Sequence, residues 1–183
     1  MSIFYGISHI FTSRSNNDIV TLKAGPGESL QLDGVLSSSS LETNRALSGY
    51  YITSRVSTPL SINIWTKMNG TSTVDAHNYK FTHSNNKLIY TGPITGIFYI
   101  TYSVSCAGTN NDIISFGVSK NAQTPDISSV INVTLPSGSD STALSAGCHV
   151  MLSTSDYFEL FAYNASGSNA INSLYTISVL GIF

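Results

Sequence analysis

Residues 96–104 have the sequence GIFYITYSV, in which large apolar side chains recur at every second position. The face that we expect to point inward carries Phe98, Ile100, Tyr102 and Val104. The intervening residues are Tyr99, Thr101 and Ser103. Successive side chains of a β-strand point to opposite faces, so this period of two predicts a strand with one face in a core.

The same period continues through most of the chain that follows. Alternating runs are found at residues 114–118, 127–135, 144–152, 158–162 and 174–183. Turn-rich segments such as KNAQTPD and LPSGSD separate these runs at short intervals. We find no long window with helical periodicity. The sequence therefore predicts an all-β protein, an antiparallel sandwich or barrel.

The composition and charge of the chain exclude several classes of protein. Of 183 residues, 42% are hydrophobic and 10% aromatic, which is enough apolar surface for one folded core and argues against disorder. A net charge of −2 gives no basic surface for a nucleic acid. The apolar runs are too short for a membrane-spanning helix. The start, MSIFYGISHIF, does not have the pattern of a secretory signal.

Residues 1–47 differ from the rest and are predicted to form an N-terminal β-rich attachment arm and linker, with residues 48–183 as the main domain. Two short strands are predicted around the turn AGPGE, and the run Ser37 to Ser40 has the composition of a linker. A hairpin of this size cannot form a core alone. We expect the arm to attach to sister chains or to other proteins through its apolar residues, which include Ile3, Phe4, Tyr5, Ile10 and Phe11.

Several segments resemble the globular head of the complement q subunit and of its tumour-necrosis-factor relatives. TGPITGIFYITYSVS is similar to the family's G-x-Y-x-F-x-Y-x-V strand. ISFGVSKNAQ looks like the next strand and its Lys-Asn-Gly turn, with Ala122 in the glycine position. STSDYFELFAYNAS resembles the strands around a Gly-Asp turn, with Ser155 as the glycine, and SLYTISVLGIF resembles the closing strand. The resemblance covers residues 48–183 and implies a jelly roll of about ten strands, assembled as a compact trimer.

Apolar residues on both faces of the predicted strands support the same assembly. The last strand has no polar face at all. In the family's topology, the three strands concerned are neighbours in the sheet that faces the three-fold axis. The predicted trimer interface consists of Ile97, Tyr99, His149, Met151, Tyr175, Ile177 and Val179. The alternative is a monomer in which residues 1–47 cover this face.

An aromatic stripe along residues 156–166 is a candidate ligand surface. With Phe158 and Leu160 pointing inward, the side chains of Tyr157, Phe161 and Tyr163 point outward. Exposed aromatic residues beside Ser and Asn are common where glycans or proteins are recognised. Alternatively, the loop from Trp65 to Tyr79 folds over them.

We find no motif for catalysis, and we predict no enzyme, no cofactor and no metal site. The four histidines are scattered, and no nucleophile elbow, phosphate-binding loop or dinucleotide fingerprint occurs. Some relatives of this fold bind calcium through turn carboxylates, but Asp is also common in turns because of local hydrogen bonding, which we favour. The residues concerned are Asp112, Asp126, Asp140 and Asp156.

Cys106 and Cys148 are predicted to stay reduced. In the implied topology their strands pair with an offset that separates the two Cα atoms by more than the roughly 7 Å that a disulfide can span. Reduced thiols fit assembly in a cytoplasm.

These observations predict a non-enzymatic virion protein that acts as a homotrimer. It would serve as a capsid decoration, a fibre head or a receptor-binding element, because the Ser/Thr/Asn-rich composition and the phrase DYFELFAYNASGS look most like versions in virus and bacteriophage particles. Its expected partners are other virion proteins and a host-surface glycan or protein. The alternative is a secreted complement-q-like recognition module for glycans or proteins.

Overall fold

A computed structural model describes residues 45–75, 78–109, 111–136 and 141–182 of the chain. Within these residues the bounds of the strands are Arg45–Ile52 (β1), Val56–Thr58 (β2), Thr66–Lys67 (β3), Ser72–Val74 (β4), Phe81–Ser84 (β5), Lys87–Tyr90 (β6), Gly96–Ala107 (β7), Ile113–Lys120 (β8), Ile131–Thr134 (β9), Thr142–Leu152 (β10), Tyr157–Asn164 (β11) and Ile171–Ile182 (β12). A short 3-10 helix, Ile127–Ser129, joins β8 to β9. The predicted arm residues Ile3, Phe4, Tyr5, Ile10 and Phe11 lie outside the described part of the chain.

The strands form two six-stranded antiparallel sheets. The first sheet has the order β10-β7-β12-β1-β4, with β2 also pairing with β12. The second has the order β5-β6-β11-β8-β9, with β3 also pairing with β11. From β6 to β12, every connection except that between β8 and β9 passes from one sheet to the other, as in a jelly roll. The predicted all-β antiparallel sandwich is therefore confirmed. The described residues form twelve strands where about ten were expected, and six of the twelve are only two to four residues long.

The core lies between the two sheets and follows the alternation seen in the sequence. On β7, Phe98, Ile100, Tyr102 and Val104 are all buried. Phe158, Leu160 and Ala162 of β11 are buried in the same cluster. Each large side chain of this kind contributes about 1.5–3 kcal/mol when it is removed from water.

The hydroxyl of Tyr102 links the two sheets across this core. Its oxygen lies 3.0 Å from the carbonyl oxygen of Phe116 and 2.5 Å from that of Ser129. Ser129 belongs to the short 3-10 helix and is itself buried. The hydrogen bond from Tyr102 therefore fixes the 3-10 helix to the core.

The first strand begins slightly before the predicted domain start. Ala46 pairs with Gly181 and Leu47 with Leu180, so residues 45–47 already belong to the first sheet. Ala46 is completely buried, which explains why this part of the chain is held in the sheet.

Candidate interaction surface

The solvent face of the first sheet carries a group of apolar side chains near the start of β7. Met151 of β10 lies opposite Ile97 of β7. Two residues further along, Tyr99 lies between His149 of β10 and Leu180 of β12. Ile97 is 63% exposed and Met151 59%. We call these five residues the apolar patch; concentrated exposed apolar groups of this kind mark interaction sites.

The position of Tyr99 is set by its two neighbours on β10. Its ring centroid lies 5.0 Å from that of His149, with the two planes tilted by 41°. On the other side, a Cβ added to Gly147 would come within 2.5 Å of the Tyr99 hydroxyl oxygen. Only glycine at position 147 leaves room for the ring in this orientation, so the patch has a defined shape.

The other end of the same face is lined by small residues. Together they form a shallow groove of about 410 Å³, which we call the small-residue groove. Its solvent-facing lining residues are Ser103, Ser105, Ala143, Ser145, Leu174 and Thr176. Leu174 is the large apolar residue of this set.

The structure contradicts the predicted facing of the last strand. Tyr175, Ile177 and Val179 are at most 4% exposed and belong to the core, so they cannot reach a sister chain. The reason is the pairing of β12 with β7, which places Val179 opposite the buried Ile100. Directly paired residues point to the same face of a sheet. The solvent face of β12 instead carries Leu174 and Leu180, which the sequence analysis did not include.

The other four predicted interface residues do reach the solvent face. Ile97, Tyr99, His149 and Met151 all lie in the apolar patch, on two adjacent strands. Their role as a trimer interface stays a prediction.

The predicted ligand surface is partly covered in the structure. Tyr157, Phe161 and Tyr163 are each half-buried. The Trp65 ring lies 5.2 Å from that of Tyr163, whose hydroxyl is 2.7 Å from the Asn63 side-chain oxygen. Both contacting residues belong to the segment just before β3, which pairs with β11 in the same sheet. The binding role of the stripe stays a prediction.

Two lysines lie beside the other two residues of the stripe, Tyr157 and Phe161. The Lys87 ammonium lies 4.2 Å from the centre of the Tyr157 ring. Between Tyr157 and Phe161, the Glu159 carboxylate is almost fully buried and forms an ion pair with Lys67. Lys67 also donates a hydrogen bond to the carbonyl oxygen of Asn85, at 2.7 Å. A buried charge needs such a partner, and nothing in the local sequence predicted this one.

The turn aspartates are occupied by structural hydrogen bonds. Asp112 accepts hydrogen bonds from the Asn164 and Asn169 amides, at 2.9 Å and 3.0 Å. The Asp126 side chain accepts one from the backbone N–H of Ser128, which lowers the pKa of Asp126.

Asp156 has the richest environment of these carboxylates. Burial alone would raise its pKa, but hydrogen bonds from Lys120, Asn121 and the Ser153 N–H, together with the charge of Lys120, bring the pKa to about 2. Asp140 lies outside the described residues. Among the residues that are described, no group of three or more His, Cys, Asp or Glu could hold a metal ion.

A serine and a histidine approach each other where the edges of the two sheets meet. The oxygen of Ser72 on β4 lies 2.8 Å from Nε2 of His83 on β5. The His83 ring packs 5.1 Å from the Tyr50 ring, and burial lowers the pKa of His83. The observed contact joins the two sheets, which is a structural role.

Comparison with solved structures identifies the fold. The structure of Eiger TNF from S. frugiperda aligns with a TM-score of 0.56 and 8% identity, covering 76% of this chain and 94% of that one. The globular domain of zebrafish complement 1qA protein aligns with a TM-score of 0.50 and 13% identity, covering 76% and 98%. PRD1 vertex protein P5 aligns with a TM-score of 0.47 and 16% identity, covering 76% of this chain and 74% of that one.

The chain therefore has the jelly-roll fold of the tumour-necrosis-factor and complement-q class, as the sequence resemblance predicted. No family model matches the sequence. No curated protein matches it either. In the described part of the chain, no helix is long and apolar enough to cross a membrane.

Proposed function

We propose that this protein is a non-enzymatic structural or binding protein that works as a homotrimer. The observation that carries the proposal is the apolar patch on the solvent face of the first sheet. The patch spans β10, β7 and β12, which are the three neighbouring strands expected to face the three-fold axis. Association with sister chains would remove these side chains from water.

The energetics favour association over an exposed patch. Four of its side chains are large and apolar, and each is between 45% and 63% exposed in the single chain. Soluble monomers rarely leave such a group uncovered. Burial contributes about 25 cal/mol for each Å² of apolar surface, so three copies of the patch supply a substantial driving force.

Measurement of the native mass tests the trimer directly. We expect three times the 19.6 kDa chain mass at micromolar concentration. A species with the mass of one chain would refute the proposal.

We further propose that the trimer is a component of a virion: a capsid decoration, a fibre head or a receptor-binding element. The support is the sequence resemblance to particle proteins of viruses and bacteriophages, together with the Ser, Thr and Asn content of the chain. Labelling the protein on intact particles and locating the label by electron microscopy tests this role. If the protein is instead found free in the extracellular medium, the secreted recognition module is the better description.

In this proposal the N-terminal arm attaches the trimer to its particle. Ile3, Phe4, Tyr5, Ile10 and Phe11 supply apolar side chains that can pack against other virion proteins, by strand addition or side-chain contact. A chain that begins at Leu41 retains the whole of β1 and should still form a soluble trimer. It should fail to bind particles; binding equal to that of the full chain would place the attachment surface on the jelly roll.

A further inference from the structure

A closed ring of three chains needs two different surfaces on each chain. Contacts in a trimer are heterologous, so the surface that one chain presents to its neighbour differs from the surface that it receives. The solvent face of the first sheet supplies one of them. The segment around Ile127 supplies the second, and this assignment rests on the proposed trimer.

Ile127 is the most exposed large apolar side chain among the described residues, at 85%. It is the first residue of the short 3-10 helix between β8 and β9. Single exposed apolar residues are normal on protein surfaces, so the exposure alone decides nothing. What distinguishes Ile127 is how firmly the segment around it is held.

The backbone on both sides of Ile127 is fixed by hydrogen bonds. The Asp126 side chain accepts a hydrogen bond from the Ser128 N–H at 2.8 Å. The hydroxyl of the buried Ser129 donates to the Asp126 carbonyl oxygen at 2.7 Å. Ser129 is held in turn by the Tyr102 hydroxyl from the opposite sheet. Ile127 is therefore presented to solvent on a rigid support and does not fold back onto its own core.

The 3-10 helix that carries Ile127 also lies where a neighbouring chain could contact it. The 3-10 helix packs against β10, the edge strand of the first sheet, at the margin of the proposed interface. A neighbour that approaches the solvent face of this sheet across β10 meets this edge first. Ile127 thus projects from the edge while the small-residue groove lies open on the face.

The groove has the complementary character. Its floor consists of β-strand backbone and small side chains such as Ser103 and Thr176, with Leu174 as an apolar wall. The volume of about 410 Å³ leaves space for a branched aliphatic side chain. The small residues explain why this part of the face is indented, whereas the apolar patch stands out.

We propose that Ile127 of each chain inserts into the small-residue groove of the neighbouring chain, so that three such contacts close the ring. The partner recognised by Ile127 is a second copy of this protein. The apolar patch supplies general hydrophobic contact, and the Ile127 contact fixes the angle between neighbouring chains.

Disulfide cross-linking in the full-length chain tests the contact. The double variant Ile127→Cys with Thr176→Cys should form a covalent trimer under mild oxidation, and each single variant should not. Thr176 lies on β12, two strands in from the edge strand β10, a distance of about 10 Å. A disulfide between the two positions of one chain is therefore excluded. Co-expression of the two single variants should give a covalent dimer.

A matched control replaces another exposed isoleucine. Ile64 is 57% exposed and lies in the loop before β3, which pairs with the second sheet. The combination of Ile64→Cys with Thr176→Cys should give no covalent trimer. If the Ile64 combination gave as much covalent trimer as the Ile127 combination, the inference would be overturned. Cross-linking would then depend only on the solvent exposure of the cysteine.

The native mass of the reduced double variant separates the two proposals. A trimer that yields no covalent trimer on oxidation overturns the Ile127 contact and leaves the trimer standing. A species with the mass of one chain overturns the trimer, and the contact falls with it. As a second readout, Ile127→Asp should raise the dissociation constant of the trimer at least tenfold, while Ile64→Asp should leave it unchanged.

Discussion

Tyr99 and Leu180 lie directly opposite each other on β7 and β12, and both side chains point to solvent. Only one residue earlier on β12, Val179 is buried opposite Ile100. On β12, one side chain therefore faces the core and the next one faces the proposed interface. Substitutions on the two sides of the sheet should have different consequences.

A charge on the solvent side should separate the chains without unfolding them. We expect Tyr99→Asp to give a folded species with the mass of one chain, because an unpaired charge in a packed interface costs several kcal/mol. Size-exclusion chromatography with light scattering would measure the mass, and circular dichroism the fold. Ile64→Asp, which places the same charge outside the patch, should remain trimeric. A trimeric Tyr99→Asp variant would show that the patch does not lie in the interface.

The same charge on the core side should prevent folding. Ile177 is 1% exposed and packs between the sheets, so Ile177→Asp would leave a carboxylate in the core with no partner. We expect loss of the cooperative thermal transition. A soluble, cooperatively folded monomer from this variant would instead place Ile177 outside the core.

The two thiols should resist modification in the folded protein. Cys106 and Cys148 are both buried and unpaired, and burial raises the pKa of each thiol to about 11. Because the thiolate is the reactive form, alkylation at pH 8 should be slow in native protein and complete in denaturant. Intact mass after labelling in denaturant, without reductant, should show two modified cysteines. A mass two units lower and without label would mean that a disulfide forms.

Asp156 should make stability depend on acidity. Its folded pKa of about 2 lies below the ordinary value of 3.8, so the ionised form stabilises the fold. This contribution is present above pH 4 and is lost as the pH falls from about 4 to about 2. Asp156→Asn should cost about 2 kcal/mol at pH 7 and reduce the loss of melting temperature across that range. If the melting temperature of Asp156→Asn fell with pH as steeply as that of the original protein, the assignment to Asp156 would be contradicted.

Ala122 and Ser155 lie in turns and have a backbone conformation that favours glycine. Ala122 has φ 57° and Ser155 has φ 74°. This conformation costs a residue other than glycine roughly 1–2 kcal/mol, partly offset by the greater freedom of glycine in the unfolded chain. Ala122→Gly should therefore raise the free energy of unfolding by about 0.5 kcal/mol. Ala107→Gly, within β7, should lower it; denaturant titration measures both.

Much of the fold could be predicted from the sequence because its strands have one apolar and one mixed face. On β7 the alternation of Phe98 and Ile100 with Tyr99 and Thr101 defines the buried side without ambiguity. The resemblance places Ala122 and Ser155 where the family has glycine, and both residues have a positive φ in the structure.

The last strand could not be assigned in the same way. The solvent face of β12 carries Leu174 and Leu180 with Thr176 and Ser178 between them, so large apolar side chains occur on both faces of the strand and do not by themselves show which face is buried. The pairing of Val179 with Ile100 decides the matter, and that pairing is a long-range property. For a similar reason the sequence predicts a strand that includes Ile127, because its run of alternating residues continues directly into β9.

The pairing of Arg45 with Ile182 makes the two ends of the sandwich different, because the start of β1 and the end of β12 lie together at one of them. Ile97 and Met151 also lie at this end. The connections after β7 and β11 lie at the opposite end, where Asp112 and Asn164 bind each other. In a three-fold assembly the starts of β1 and the ends of β12 would lie on one side in all three chains. A trimer tethered by its arms would therefore direct that side towards the particle and leave the Asp112 loops facing the surroundings.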